Sequence, residues 1–176
     1  MQAPAVGIVM GSDSDLPVMR PAFDALVEFD LTAEVRVLSA HRTPDDALAW
    51  ARDASGRGVR VVIAGAGMAA HLPGVLAAVT SLPVIGVPIS SSRLEGVDAL
   101  LAIAQMPPGV PVATVAIDGG RNAGLLAVRI LAATDELLRR RYDAFRADMA
   151  DKVRAKDEKV RAEFAPGSGA RGIGFR

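Results

Sequence analysis

The chain has 176 residues, a length that suits one domain. Its 20 basic and 20 acidic residues give a formal net charge of zero, so the chain has no net charge to attract nucleic acid or an anionic membrane surface. It contains no cysteine, which excludes disulfides, thiolate nucleophiles and cysteine-based metal sites. No apolar run approaches the ~18 residues of a membrane span, and no signal peptide precedes the first apolar run, so we expect a cytoplasmic protein.

Short β-branched runs alternate with stretches of helical periodicity along the chain. The runs predict strands at Val6–Met10, Val35–Leu38, Val59–Ile63, Val84–Val87 and Val112–Ile117. The periodic stretches predict helices at Leu16–Phe29, Pro44–Ala54, His71–Thr80, Val97–Ala104 and Asn122–Arg140. Such alternation implies parallel strands joined by right-handed crossovers, which is typical of a three-layer α/β/α sandwich of flavodoxin-like type.

The composition changes near the C-terminus, where charged residues follow Arg141 and glycines follow Ala165. We expect a solvated helical extension and then a disordered tail. The predicted organisation is one catalytic α/β domain over residues 1–150 and a charged, then glycine-rich, tail over 151–176. Apolar residues make up 51% of the chain, a share that favours self-association.

The loop after the first strand is unusual, and ligands of open parallel sheets bind beyond the carboxyl ends of the strands. Residues 11–15 read GSDSD and open a helix with Pro17 at an early position. The hydroxyl groups of Ser12 and Ser14 and the free amides of a helix start suit a phosphate. Capping of the helix by Ser14 or Asp15 explains the same residues without a ligand.

The loop after the second strand, residues 39–44 (SAHRTP), predicts Thr43 as a helix N-cap and Pro44 as the first helical residue. Arg42 then faces the positive end of the helix, at a cost of about 0.3 to 1 kcal/mol unless an anion lies between them. A bound phosphate would remove this conflict. The alternative is that Arg42 points into water or pairs with Asp45.

His41, in the same loop, is one of two histidines in the chain. Histidine ordinarily exchanges its proton near neutral pH, so His41 is the candidate acid/base group. A surface role is the alternative, but a position between a strand end and a helix start directs it toward the ligand crevice.

The loop after the third strand, residues 65–71 (GAGMAAH), superficially satisfies the Gly-x-Gly-x-x-Gly/Ala dinucleotide pattern. It follows the wrong strand, and no acidic residue for ribose stands about 20 positions onward. Small residues here instead let backbone amides approach a ligand closely. His71 either contacts the ligand or begins the helix with a hydrogen bond to the backbone.

Other functional classes fit these loops less well. A response-regulator receiver needs an aspartate at the end of the third strand, where this chain has Ala64 and Gly65. A phosphatase using Asp13 and Asp15 needs its nucleophile directly at the strand end, but two residues intervene, and no later acidic pair suits Mg²⁺. A non-catalytic module that binds a phosphorylated metabolite is a further alternative, which explains Ser12 and Arg42 but assigns no function to His41.

Taken together, residues 11–15, 39–44 and 64–74 (AGAGMAAHLPG) resemble the motifs of the 5-(carboxyamino)imidazole ribonucleotide mutase family of purine biosynthesis. The resemblance continues in the same order to about residue 140, through Pro83–Pro88, Gln105–Pro107, Gly109–Val115 and Asn122–Leu126. It implies a flavodoxin-like octamer that needs no ATP, metal or organic cofactor. Arg42 resembles the mutase branch, whereas the carboxylase branch, which uses carbon dioxide and aminoimidazole ribonucleotide, typically has lysine there.

The resemblance also implies roles for individual residues. His41 would carry the proton, while the other implied substrate-binding residues are Ser12, Ser14, Asp15, Ser39, Arg42, Gly67, Met68, Ala69 and His71. Among these, the backbone of residues 67–69 would hold the migrating carboxylate. Met68 stands where the family commonly has glycine, Ala99 stands where serine is common, and residues 117–122 are shorter than in many relatives. The stretch after about residue 150 lies outside the resemblance.

Overall fold

The computed structural model describes residues 3–91 and 93–165. In these residues a parallel sheet has the order β2-β1-β3-β4-β5. The strands are β1 (Val6–Met10), β2 (Ala33–Val37), β3 (Val61–Gly67), β4 (Val84–Ile89) and β5 (Ala113–Thr114). The helices are α1 (Leu16–Val27), α2 (Pro44–Asp53), α3 (Leu72–Ala77), α4 (Val97–Ala104), α5 (Gly120–Ala132) and α6 (Glu136–Glu163). This arrangement confirms the predicted flavodoxin-like sandwich with a C-terminal helical extension.

Helices cover both faces of the sheet, because successive side chains of a strand point to opposite faces. Ile8 of β1 packs in a core with α1 and α5, whereas the adjacent Val9 packs in a second core with α2, α3 and α4. Helices α1 and α5 touch so closely that a Cβ atom on Gly120 would overlap the carbonyl oxygen of Val18. The contact holds α1, and hence the loop that precedes it, against the rest of the domain.

Most predicted elements differ from the structure at one or both ends, and α3, for example, is shorter than the predicted His71–Thr80. Strand β3 runs to Gly67, so the first part of the predicted third loop belongs to a strand, and β5 has only two residues. The single helix predicted at Asn122–Arg140 is wrong, because α5 ends at Ala132 and α6 begins at Glu136. Asp135 separates them as the N-cap of α6, with its carboxylate accepting a hydrogen bond from the Leu138 amide at 3.0 Å.

Helix α6 packs at its start and is solvated over its second half. Leu138 is buried, and the rings of Tyr142 and Phe145 lie 5.8 and 5.6 Å from that of Phe29. Residues 151–163 are exposed, as expected for a solvated helix, and residue 150 lies within the helix. The predicted disordered tail falls outside the described residues, apart from Ala165. Among the described helices, none has the length and apolar character needed to cross a membrane.

Candidate active site

A cleft of about 570 Å³ lies beyond the carboxyl ends of the strands. Its walls are Gly11, Ser12, Ser14, Asp15, Ser39, Ala40, His41, Arg42, Ala66, Gly67, Met68, Ala69, Leu72 and Ser91. Nine of the ten predicted site residues are in this lining, and the tenth, His71, contacts His41. The strand order explains the convergence, because β2 and β3 flank β1 and bring their loops to either side of the first loop.

The first loop is organised by Ser12, which caps a short 3-10 turn over Asp13–Asp15. Its hydroxyl oxygen accepts from the Ser14 amide at 3.3 Å, while its own amide donates to the Asp15 carboxylate at 3.0 Å. Ser12 therefore caps this turn. Asp15, one of the two helix caps that the sequence offered, occupies the N-cap position of α1 but makes no side-chain capping bond to it, and Ser14 is the cap of neither element. Burial raises the pKa of the Asp15 carboxyl, although hydrogen bonds from the Ser12 and Gly11 amides and the charge of Arg42 oppose the rise.

Arg42 ties the second loop to the first. Its Nη2 donates to the Gly11 carbonyl oxygen at 3.1 Å and its Nε donates to Ser39 Oγ at 3.4 Å. The side chain therefore neither extends freely into water nor pairs with Asp45, the two alternatives to phosphate binding that the sequence left open. Its positive charge instead lies in the cleft wall beside the hydroxyl groups of the first loop.

Thr43 occupies the N-cap position of α2, as predicted, and Pro44 is the first helical residue. The Thr43 hydroxyl does not cap the helix, however, because its oxygen accepts from the Ser39 amide at 3.0 Å. This bond closes the loop on itself and fixes the backbone that carries His41.

The two histidines contact each other through their rings. His41 Nε2 lies 2.9 Å from His71 Nδ1, and the ring planes are inclined by 85°. One nitrogen must donate and the other accept, so the contact couples the tautomer of one neutral ring to that of the other. The sequence offered His71 as a ligand contact or a helix-start residue but gave no sign of this pairing.

In residues 3–91 and 93–165, no three His, Asp or Glu side chains are grouped so as to hold a metal ion.

The third loop presents backbone and small side chains to the cleft. A Cβ atom on Gly67 would overlap Ser91 Oγ and lie 3.1 Å from the Ile89 carbonyl oxygen, so a larger residue there would require the Ser91 side chain to move. Met68 has a φ of 52°, a left-handed conformation that costs a non-glycine residue roughly 1–2 kcal/mol. Glycine, which has no Cβ atom, would adopt this conformation without that cost.

Sequence reasoning missed Ser91, which lies just after β4 and lines the cleft. Its position beyond a strand end was the available signal. The assembled wall combines a cation, several hydroxyl groups, close backbone and one side chain suited to proton transfer. Such a set can hold an anionic ligand and move a proton on it.

Comparison with known proteins agrees with this chemistry. The family model described as AIR carboxylase matches residues 5–152. The protein named N5-carboxyaminoimidazole ribonucleotide mutase from Mycobacterium tuberculosis (strain ATCC 25618 / H37Rv) is 60% identical over 159 residues, which are 90% of this chain and 91% of that protein. The phosphoribosylaminoimidazole carboxylase of Schizosaccharomyces pombe is 54% identical over 160 residues, which are 91% of this chain and 29% of that protein.

Solved structures give the same result for the fold. The crystal structure of Treponema denticola PurE has a TM-score of 0.82 with this chain at 27% identity, and the match covers 90% of this chain and 99% of that one. The family match covers most of the chain and includes all three cleft loops. The chain therefore belongs to the AIR carboxylase family, as its motifs predicted.

Proposed function

We propose that this chain is an N5-carboxyaminoimidazole ribonucleotide mutase of purine biosynthesis. It moves the carboxyl group of 5-(carboxyamino)imidazole ribonucleotide from the exocyclic nitrogen to ring carbon four, giving 4-carboxy-5-aminoimidazole ribonucleotide. The observation that carries the proposal is the cleft in which His41 lies beside Arg42 and the GSDSD loop. The 60% identity to a relative with that name supports the choice of reaction.

The first two loops hold the ribonucleotide. Arg42 and the hydroxyl groups of Ser12, Ser14 and Ser39 suit phosphate and ribose oxygens, because cations and hydroxyl donors bind such groups at short range. The Asp15 carboxylate, when ionised, accepts hydrogen bonds from ribose hydroxyl groups. Its anchoring by the Ser12 amide at 3.0 Å keeps the acceptor in place.

His41 manages the proton that the reaction moves. As the bond from the exocyclic nitrogen to the carboxyl carbon breaks, that nitrogen gains a proton and carbon dioxide forms. Ring carbon four then attacks the carbon dioxide and loses its proton, so no net proton is consumed. A single acid/base side chain can perform both transfers, which contributes roughly 10² to 10⁴ in rate. In this proposal the backbone of residues 67–69 holds the migrating carboxylate, and His71 acts through its contact with His41.

The main alternative is a carboxylase that uses aminoimidazole ribonucleotide and carbon dioxide, and the similarity to the Schizosaccharomyces pombe carboxylase favours it. Arg42, at the position where the carboxylase branch typically has lysine, favours the mutase instead. A non-catalytic module for a phosphorylated metabolite is the third possibility. Only the mutase uses the 5-(carboxyamino) compound as its substrate, so a choice of substrate separates the three.

The test is turnover of 5-(carboxyamino)imidazole ribonucleotide with a chelator present and ATP absent, followed by ultraviolet absorbance. We expect rapid conversion by the wild type and none by His41→Asn, which should still bind the nucleotide. Arg42→Ala should weaken nucleotide binding first. Turnover only with aminoimidazole ribonucleotide and bicarbonate would favour the carboxylase, and binding without any turnover would favour the metabolite-binding module. An equal loss of affinity in both variants would contradict their separate roles.

We also propose a homo-octamer in the cytoplasm with its catalytic domain in residues 1–150. Exposed apolar side chains support assembly, among them Val37 at the sheet edge and Leu101 on α4, which are 52% and 53% exposed. The cytoplasm is where a phosphorylated, charged substrate would be made and kept. The described residues that line the cleft lie between 11 and 91, so residues 151–165 of the proposed tail do not line it. Light scattering of the purified protein measures the assembly.

A further inference from the structure

Met68 stands out in the cleft because a large apolar side chain occupies a backbone position that favours glycine. Its φ is 52°, and 59% of its surface is exposed. Met68, together with Ser91, lines two spaces, the cleft that holds His41 and an open adjoining pocket that also includes Arg93 and Asp98. Met68 therefore forms part of the wall between them.

The chemistry of methionine suits a cover for a flat ring. Its unbranched thioether chain adapts to irregular surfaces and makes favourable contacts with aromatic rings. Strained backbone positions persist where the surrounding structure maintains them, and they cluster at ligand-binding sites. The preceding residue, Gly67, has no side chain and lies against Ser91, so Met68 is the large apolar residue that this loop contributes to the cleft lining.

We propose that Met68 is a specificity-determining residue whose side chain covers the imidazole ring of the bound ribonucleotide and closes the path to the adjoining pocket. The inference rests on the proposed function. When the bond between the exocyclic nitrogen and the carboxyl carbon breaks, the electron pair stays on nitrogen, which takes a proton, and carbon dioxide is free. If carbon dioxide escapes before ring carbon four attacks it, aminoimidazole ribonucleotide is left behind. A closed wall prevents that loss and keeps water out.

The test compares Met68→Gly with Met68→Leu. Glycine accepts a φ of 52° without strain, so the Gly variant should fold at least as well as the wild type. Leucine keeps an apolar side chain of similar volume and is the matched control. Carboxyl-labelled substrate reports the fraction of label lost as carbon dioxide per turnover, and calorimetry reports the affinities for aminoimidazole ribonucleotide and for ribose 5-phosphate.

We expect Met68→Gly to lose label about fivefold more often and to bind aminoimidazole ribonucleotide about fivefold more weakly, with affinity for ribose 5-phosphate unchanged. Met68→Leu should stay within about twofold of the wild type. The inference is overturned if the wild type and both variants lose the same fraction of label and bind with the same affinities. It is also overturned if Met68→Gly binds aminoimidazole ribonucleotide and ribose 5-phosphate more weakly by the same factor. If the wild type itself does not turn over the labelled substrate, the proposed function fails and this inference fails with it.

Discussion

The contact between His41 and His71 predicts a specific kinetic effect of replacing His71. Leucine at this position removes the nitrogen that lies 2.9 Å from His41 Nε2, so the imidazole of His41 loses the hydrogen bond that orients it and couples its tautomer to that of His71. Asparagine places a polar atom near the position of the missing Nδ1 and is therefore the conservative variant. We expect His71→Leu to lower kcat and His71→Asn to retain most of it.

The size of the effect follows from the bond. A hydrogen bond between neutral groups at an exposed site contributes roughly 0.5–1.5 kcal/mol net, which corresponds to about a 2- to 13-fold change. His71 is exposed, so competition from water should keep the contribution of this bond to the free energy of unfolding near the lower limit, about 0.5 kcal/mol. The loss should therefore appear in kcat, while KM, which reports nucleotide binding by the first two loops, stays nearly constant.

Steady-state kinetics with 5-(carboxyamino)imidazole ribonucleotide, together with urea unfolding of each variant, measures both quantities. A merely structural role for His71 would lower stability and affect the two variants alike. The positioning role is refuted if His71→Leu keeps the wild-type kcat, if the loss falls on KM, or if His71→Asn is as impaired as His71→Leu.

Two further predictions concern stability. Burial raises the pKa of the Asp15 carboxyl above its ordinary value of 3.8. As the pH rises past that value, the unfolded chain releases the Asp15 proton while the folded protein still holds it. The free energy of unfolding therefore decreases as the pH rises through this range. The free energy of unfolding of Asp15→Asn, relative to that of the wild type, should therefore increase over the same pH range. If urea unfolding gives the same pH dependence for both proteins, this prediction is wrong. Gly120→Ala should lower the free energy of unfolding by about 1–3 kcal/mol, because its Cβ atom overlaps the Val18 carbonyl oxygen. Gly56→Ala, with open space around its Cβ position, is the control and should stay within about 0.5 kcal/mol; similar losses in both would contradict the overlap.

Most of the fold could be predicted because buried parallel strands have a simple sequence pattern. The β-branched run at Val6–Met10 matches β1 at both ends, and Pro44 begins α2 as its fixed φ requires. The helix predicted at Asn122–Arg140 failed because apolar periodicity continues from α5 into α6. Asp135 separates the two helices because its side chain caps the start of α6. Tyr142 and Phe145 then pack on Phe29, which fixes the position of α6 on the domain.

The cleft loops were found from the sequence because residues after parallel strands must meet at one edge of the sheet. The sequence by itself therefore determined the class of fold, the family and the loops that carry His41 and Arg42. Only the tertiary structure decided that Arg42 bonds Gly11, that His41 meets His71 and that Ser91 joins the cleft. The two bonds join residues 31 and 30 positions apart. All three contacts depend on strand order and side-chain rotamers, which local periodicity does not encode.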